Sequence, residues 1–325
     1  MFDVTGIGNA IVDVLARAEE SLLVEHKLAK GGMSLIDEAG AERLYAIMGP
    51  GIEASGGSAA NTIAGIAALG GRTAYIGKVS DDQLGDVFTH DIRAVGVTYD
   101  TPRLRNGLAT ARCLIFVTPD AQRTMQTFLG ATTQLGPEDL RMDAVTSSKV
   151  LYLEGYLWDQ PRAKAAMRDA AIQAQKAGVK VALTLSDAFC VARFRDEFVE
   201  LVHNHVDILF ANESEVLSLY RAESFDAALQ HVRGHCEIAA LTRSEKGSVI
   251  VSGDEVHVID AERHVRVVDT TGAGDAYAAG FLYAYTQGRD LATCGRLGSV
   301  MAAEVISHYG ARVEGDVKAL AAKVL

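Results

Sequence analysis

The chain has 325 residues, 49% hydrophobic and 22% charged, with 31 Gly against 5 Pro. This excludes collagen-like, disordered and disulfide-scaffold classes and leaves one large or two small folded domains. Lys and Arg number 31 against 42 Asp and Glu, a net charge of −11 with no basic run, so nucleic acid is not an expected partner and any phosphate must be gripped by local groups.

Residues 2–8 read as a buried strand, 59–69 as a small-residue helix and 73–77 as another strand. The β-rich pieces 111–118 and 124–129, joined by the turn Pro119-Asp120-Ala121-Gln122, have no covering helix and are expected to form a small sheet over something else, a lid. From 150 onward strands (150–153, 179–185, 206–210, 238–241) alternate with helices (162–176, 194–203, 213–220, 225–232), the mark of a parallel sheet covered on both faces. Pro161 opens the first of these helices and Gly178 stops it. A hairpin, 248–251 with 255–259, and two long helices, 273–286 and 291–307, close the chain. A single domain over 1–325 is expected, its lid drawn mainly from segments within 11–50 and 99–130. The four Cys are far apart and read as reduced thiols; with no signal-peptide start and no apolar run of membrane length, a cytoplasmic protein is expected.

The sharpest motif is Val267-Val268-Asp269-Thr270-Thr271-Gly272-Ala273-Gly274-Asp275, a β-type run passing into a glycine turn that opens a helix. Amides of Gly272, Ala273 and Gly274 converging at a helix N-terminus make a seat for an anion. Asp275 beside them suits a base that takes the proton of a hydroxyl receiving a phosphoryl group. No Gly-Lys-Ser or Gly-Lys-Thr occurs, so the phosphate-loop class is excluded. Asn212-Glu213-Ser214-Glu215 follows a strand, where such sheets bind ligands, and Asn212 with Glu215 could hold hydrated magnesium. Thr242-Arg243-Ser244-Glu245-Lys246-Gly247 is a third polar turn on that rim. Near the N-terminus Asp13 follows the first strand, and Gly56-Gly57-Ser58-Ala59-Ala60-Asn61 is a second glycine turn before a helix; together they could hold a vicinal diol. His231 and His235 have metal-like spacing, but Gly234 interrupts their helix and the reading is structural.

Asp269 to Asp275, together with Gly56-Gly57 and Gly77-Lys78-Val79-Ser80-Asp81-Asp82-Gln83-Leu84-Gly85, resembles the two signatures of the ribokinase-like (PfkB-type) carbohydrate and nucleoside kinases. The resemblance covers essentially the whole chain. It implies an α/β ribokinase-like fold, a mostly parallel central sheet flanked by helices with a small β-sheet lid, and ATP-dependent phosphorylation of a primary hydroxyl. It also implies Asp275 as base and Gly272, Ala273 and Gly274 as anion hole. Asn212, Thr242, Ser244, Gly247 and Ser299 would hold the nucleotide, and Glu215 with Asn212 would position magnesium through water. Asp13, Gly56, Gly57, Asn61, Glu154 and Tyr156 would face the acceptor, and Asp269 with Thr271 a monovalent cation, potassium. Homodimerisation through the lid would be consistent with the family.

Asn212-Glu213-Ser214-Glu215-Val216 and Gly56-Gly57-Ser58-x-x-Asn61 look most like adenosine kinases. Phe116, Phe128 and Tyr156-Leu157-Trp158 offer aromatic faces for a purine. Glu154 and Thr271 match sugar-type members better, which keeps a free sugar such as fructose, ribose or a keto-deoxy sugar acid as the alternative acceptor. An inactive nucleotide-binding protein of the same fold and a nicotinamide oxidoreductase, suggested by Gly6-x-Gly8 alone, are the readings from other classes.

Overall fold

A computed structural model describes residues 1–120 and 122–325, so the hairpin turn expected at 119–122 lies partly outside the described residues. In chain order the strands are β1 (Phe2–Ile7), β2 (Ile11–Arg17), β3 (Met33–Leu35), β4 (Gly51–Gly56), β5 (Thr73–Ile76), β6 (Thr98–Tyr99), β7 (Ala111–Val117), β8 (Arg123–Phe128), β9 (Ser148–Glu154), β10 (Lys180–Thr184), β11 (Ile208–Asn212), β12 (Ile238–Thr242), β13 (Ser248–Ser252) and β14 (Glu255–Ile259). Nine of them form one sheet in the order β14-β13-β12-β11-β10-β9-β1-β5-β6. It is parallel from β12 through β6, and the hairpin of β13 and β14 runs antiparallel at one edge.

The parallel strands are legible as apolar runs because helices cover both faces. One face packs the Ser58–Ala68, Ala273–Thr286 and Leu291–Val305 helices, with Ile63, Ile66, Phe281, Leu297 and Met301 buried among them. The other packs the Pro161–Lys176 and Arg195–His205 helices through Met167, Phe198 and Leu201. Successive strands lie to one side of β1 (β5, β6) and to the other (β9 onward), so strand order reverses between β1 and β9. The carboxyl ends of strands at such a reversal open into a crevice, the usual place for a ligand in this architecture.

A second sheet has the order β3-β8-β7-β2-β4. The sequence reads β7 and β8 as strands; β2 and β3 fall within the 11–50 stretch expected to contribute to the lid, where no strand bounds were legible. The segment 11–17, which carries Asp13 just after β1, is a strand that pairs with β4 and with β7. Its alternation buries Val12, Val14 and Ala16 and turns Asp13 to the opposite face. The helices Glu38–Ile47 and Gln83–Ala94 are likewise additional; the latter is capped by Asp82, whose side chain accepts from Gly85 N. Among the described residues no helix is long and apolar enough to cross a membrane.

Candidate active site

Two helix starts meet at the carboxyl ends of β1 and β9. Gly272 caps the Ala273–Thr286 helix in the left-handed region, φ 77°, and a Cβ there would lie 2.7 Å from Ala311 Cα, so both backbone and space require glycine. Ala273 N donates to Thr270 O at a long 3.3 Å. The next amides, Gly274 and Asp275, have no carbonyl one turn back in the helix. Gly274 is exposed, and a Cβ on it would meet nothing within 4 Å, so these donors and the positive helix end face open space. The expected β-run into this turn is absent. Val268 N and Asp269 N both donate to Ile306 O, at the end of the Leu291–Val305 helix, and Val267 is exposed: these β-branched residues have no strand neighbour to pair with.

Asp275 is the third residue of its helix, and its carboxylate points at the other helix start. Oδ1 accepts from Ser58 Oγ at 2.6 Å and Oδ2 from Asn61 Nδ2 at 3.1 Å. The Asn61 amide has no choice of orientation. Arg312 Nε, which can only donate, lies 3.0 Å from Asn61 Oδ1, and this turns Nδ2 toward Asp275. Burial raises the Asp275 carboxyl to about 6, against the lowering effect of Ser58, Asn61 and the Arg312 charge.

The Ser58–Ala68 helix is set in place by buried polar groups. Gly57, φ 98°, caps it, and a Cβ there would run into Asn9 O. Glu154, at the end of β9, accepts from Asn9 Nδ2 at 2.6 Å, Asn9 N at 3.3 Å and Ala59 N at 2.9 Å. It is 1% exposed, and burial pushes its carboxyl up to about 7. Glu154, expected to face the acceptor, is therefore a clamp beneath the cleft that ties β9, the segment after β1 and the helix start together. Tyr75, whose hydroxyl donates to Asn9 O at 2.9 Å, completes that clamp.

Asp13 reaches this cleft from the second sheet. Its carboxylate lies against Gly56, where any Cβ would strike it. Burial raises it to about 7, while the nearby Arg312 and Arg123 oppose and Asp275 reinforces the rise. Tyr156 is half-buried, its phenol pushed well up by burial and by Asp187 and Glu154. The other expected stacking faces are packing. Trp158 is 0% exposed against Phe198, its Nε1–H donating to Glu197 Oε2 at 3.2 Å, and Phe116 and Phe128 are buried within the second sheet.

A depression of about 390 Å³ at the ends of β11 and β12 is lined by Asn212, Glu213, Ser214, Leu217, Thr242, Arg243 and Ser244. Gly247, φ 80°, closes the turn through Arg243 N to Gly247 O at 2.8 Å, and a Cβ on it would collide with Ile259 O. Ser299 is buried on the Leu291–Val305 helix and does not line this depression. Asn212 and Glu215 form a reciprocal cap: Asn212 Oδ1 accepts from Glu215 N at 2.9 Å, and Glu215 accepts from Asn212 N at 2.9 Å and Nδ2 at 2.6 Å. Among the described residues no group of three His, Cys, Asp or Glu could hold a metal. The polar groups of Asn212 and Glu215 are spent on each other in this cap.

Asp269 and Thr271, just ahead of the glycine turn, are occupied by protein donors. Asp269 Oδ1 accepts from Thr271 N at 3.1 Å and Oγ1 at 2.8 Å, and Oδ2 from Gly310 N at 3.0 Å. Arg123, from β8, brings Nη2 to 2.5 Å of Asp269 Oδ2 and Nη1 to 3.1 Å of Thr271 Oγ1. Arg123 and Arg312 carry no sequence motif, and Ser58 reads only as part of a glycine turn; all three emerge from the tertiary contacts.

Residues 53–316 match the pfkB family carbohydrate kinases. The chain is similar to the crystal structure of adenosine kinase from Sinorhizobium meliloti, 54% identical, covering 100% of this chain and 99% of that one with a TM-score of 0.93. It is also similar to a probable sugar kinase protein from Rhizobium etli, 51% identical with the same coverage and TM-score, and to an adenosine kinase of Saccharomyces cerevisiae, 27% identical over 94% of each chain. These similarities establish that the chain belongs to the PfkB family and is an ATP-dependent kinase that phosphorylates an alcohol group.

Proposed function

We propose that the chain transfers the γ-phosphoryl group of ATP to the 5′-hydroxyl of adenosine. The observation that carries the chemistry is the Asp275 carboxylate, held by Ser58 and Asn61 beside the first-turn amides of its own helix. A carboxyl at about 6 is ionised near neutral pH yet basic enough to accept a hydroxyl proton in the transition state. The acceptor oxygen bonds to the γ-phosphorus as the bond to the ADP oxygen breaks, and the proton passes to Asp275. Charge on the transferring group would be met by the amides of the Gly272 to Gly274 turn, Gly274 foremost because Ala273 N is turned toward Thr270 O, and by the positive helix end. Magnesium bound with ATP would shield the phosphate charge, with Asn212 and Glu215 on the nucleotide side near Thr242 and Ser244.

The acceptor would lie between the two sheets, its hydroxyls on Asp13 and Asn61 and its ring approaching the backbone at Gly56 and Gly57. Arg312 Nη2, buried without a hydrogen-bond partner among the described residues, is an unspent donor there. The second sheet would act as the lid that keeps water from the γ-phosphate. The likeness at 54% to an adenosine kinase over the whole chain supports adenosine; the likeness at 51% to a probable sugar kinase makes the sugar the rival to test. A coupled ATP-consumption assay across adenosine, guanosine, inosine, ribose and fructose decides. Turnover with adenosine at the lowest KM is expected; turnover with ribose or fructose and none with nucleosides overturns the acceptor while leaving the kinase chemistry intact.

A further inference from the structure

The family resemblance implies a monovalent cation at Asp269 and Thr271, and the donor set present does not fit one. Both Asp269 oxygens already accept from Thr271 N, Thr271 Oγ1 and Gly310 N, and the Arg123 guanidinium stands 2.5 Å from Oδ2. A metal ion using this carboxylate would sit beside a fixed positive charge, with Thr271 Oγ1 already donating to Asp269 and accepting from Arg123. The guanidinium is enclosed: the side chain is 9% exposed, that of Asp269 is 6% exposed, and Arg123 Cζ lies 5.7 Å from the Tyr309 ring centroid, next to the Gly310 amide that also holds Asp269. Its Nη2 contact is out of line for a hydrogen bond, so the link to Asp269 is one of charge, and Nη1 to Thr271 gives it direction.

We propose that Arg123 is the built-in counter-cation of the anion-binding turn, taking the place of a monovalent metal ion and making this enzyme indifferent to potassium. An arginine is charged at every working pH and, unlike a dissociable ion, is fixed by the chain. It holds Asp269, and through the Thr271 amide and hydroxyl it fixes the turn that presents Gly272 to Gly274. Arg123 comes from the second sheet, so the charge that organises the turn arrives with the strand that packs over it. Arg123 is thus a positioning residue. The proposal rests on the reading of 272–274 as the phosphate seat.

The test compares the full chain in potassium chloride and in choline chloride at equal ionic strength, by melting temperature without substrates and by turnover with ATP, magnesium and the best acceptor. Wild type should melt and turn over alike in both salts. Arg123→Met should lose on the order of a hundredfold in turnover in choline, the low end of the cost of losing one anion-hole donor. Potassium should restore part of that loss and raise the variant's melting temperature by a few degrees, as a ligand of the vacated site. Arg123→Lys, which keeps the charge, should stay indifferent to the salt even if Arg123→Met does not fold. Activation of wild type by potassium, or an Arg123→Met protein that responds no differently to the two salts, overturns the proposal. The melting comparison needs no acceptor, so a wrong acceptor silences the turnover arm and leaves the melting arm standing.

Discussion

Asp275 and Glu215 occupy equivalent places, each the third residue of a helix that follows a polar turn, each with its carboxyl raised by burial. Their surroundings make them different groups. Glu215 has a cap residue, Asn212, with a side chain, and is long enough to reach back to it, so its carboxylate closes a local box. Asp275 is one methylene shorter, and its cap is Gly272 in the left-handed region, with no side chain to meet. Its carboxylate is left to cross to another helix, where Ser58 and Asn61 fix it in the cleft. A local partner makes a cap, whereas distant partners leave a carboxylate in the cleft, where the proposed base must stand.

The sharpest way to break this contrast is Asp275→Asn. Loss of a positioned general base should lower kcat by roughly 10² to 10⁴ with little change in the KM for ATP; undiminished turnover would remove the base from the mechanism. Next is Gly57→Ala. A left-handed backbone and a collision with Asn9 O both oppose the methyl group, and a strain of about 1–3 kcal/mol would displace Ser58 and Asn61 together. The expected result is a lower melting temperature and a fall in turnover, read by calorimetry and the coupled assay. A variant of normal activity would show that the helix start need not be held as found.

Much of this was legible because it is local. The alternation from β9 to β12 reads from apolar runs, and Pro161 and Gly178 bracket a helix by their backbone chemistry. The motif carrying Asp275 reads as a helix start. Other parts depend on partners far along the chain. The strand β2 carries a carboxylate in its middle and gains its identity only from β4 and β7. The aromatic run 156–158 reads in sequence as stacking faces for a purine, yet Trp158 fills the core because Phe198 and Glu197 lie over it. Isolated arginines have no local signature. Arg123 and Arg312 matter here only because the fold brings them to Asp269 and to Asn61.

A finer test separates the base from its donors. The Ser58 hydrogen bond favours the ionised form of Asp275, so Ser58→Ala should raise the carboxyl further. Since the base acts when ionised, the acid limb of kcat, expected near pH 6 in wild type, should move up by about one unit, the worth of one hydrogen bond to a charged group. At pH 8 the variant should then be nearly as fast as wild type, and at pH 6 clearly slower. A limb that stays in place would assign it to a group other than Asp275.

The smallest effect belongs to Glu215→Gln, and its sign distinguishes the two carboxylates. Burial raises Glu215 from 4.5 to about 7, so its folded form holds a proton that the unfolded chain releases more readily. The stability associated with that proton is fully present below pH 4.5 and is lost as pH rises through 7, at most about 3 kcal/mol across the window. Glutamine cannot ionise, but it forfeits one acceptor of the cap, a cost of about 0.5–2 kcal/mol. The variant should be less stable than wild type at pH 4.5 and close the gap, or pass it, by pH 8, as urea melts at the two pH values would show. The acid limb of kcat should barely move, because the box that holds Glu215 is built from Asn212 and not from the groups that hold Asp275, and the Asp275 charge is the smallest contributor to the rise of Glu215. A shifted limb would mean that the two carboxylates titrate as one system, and the distinction between local cap and distant base would fail.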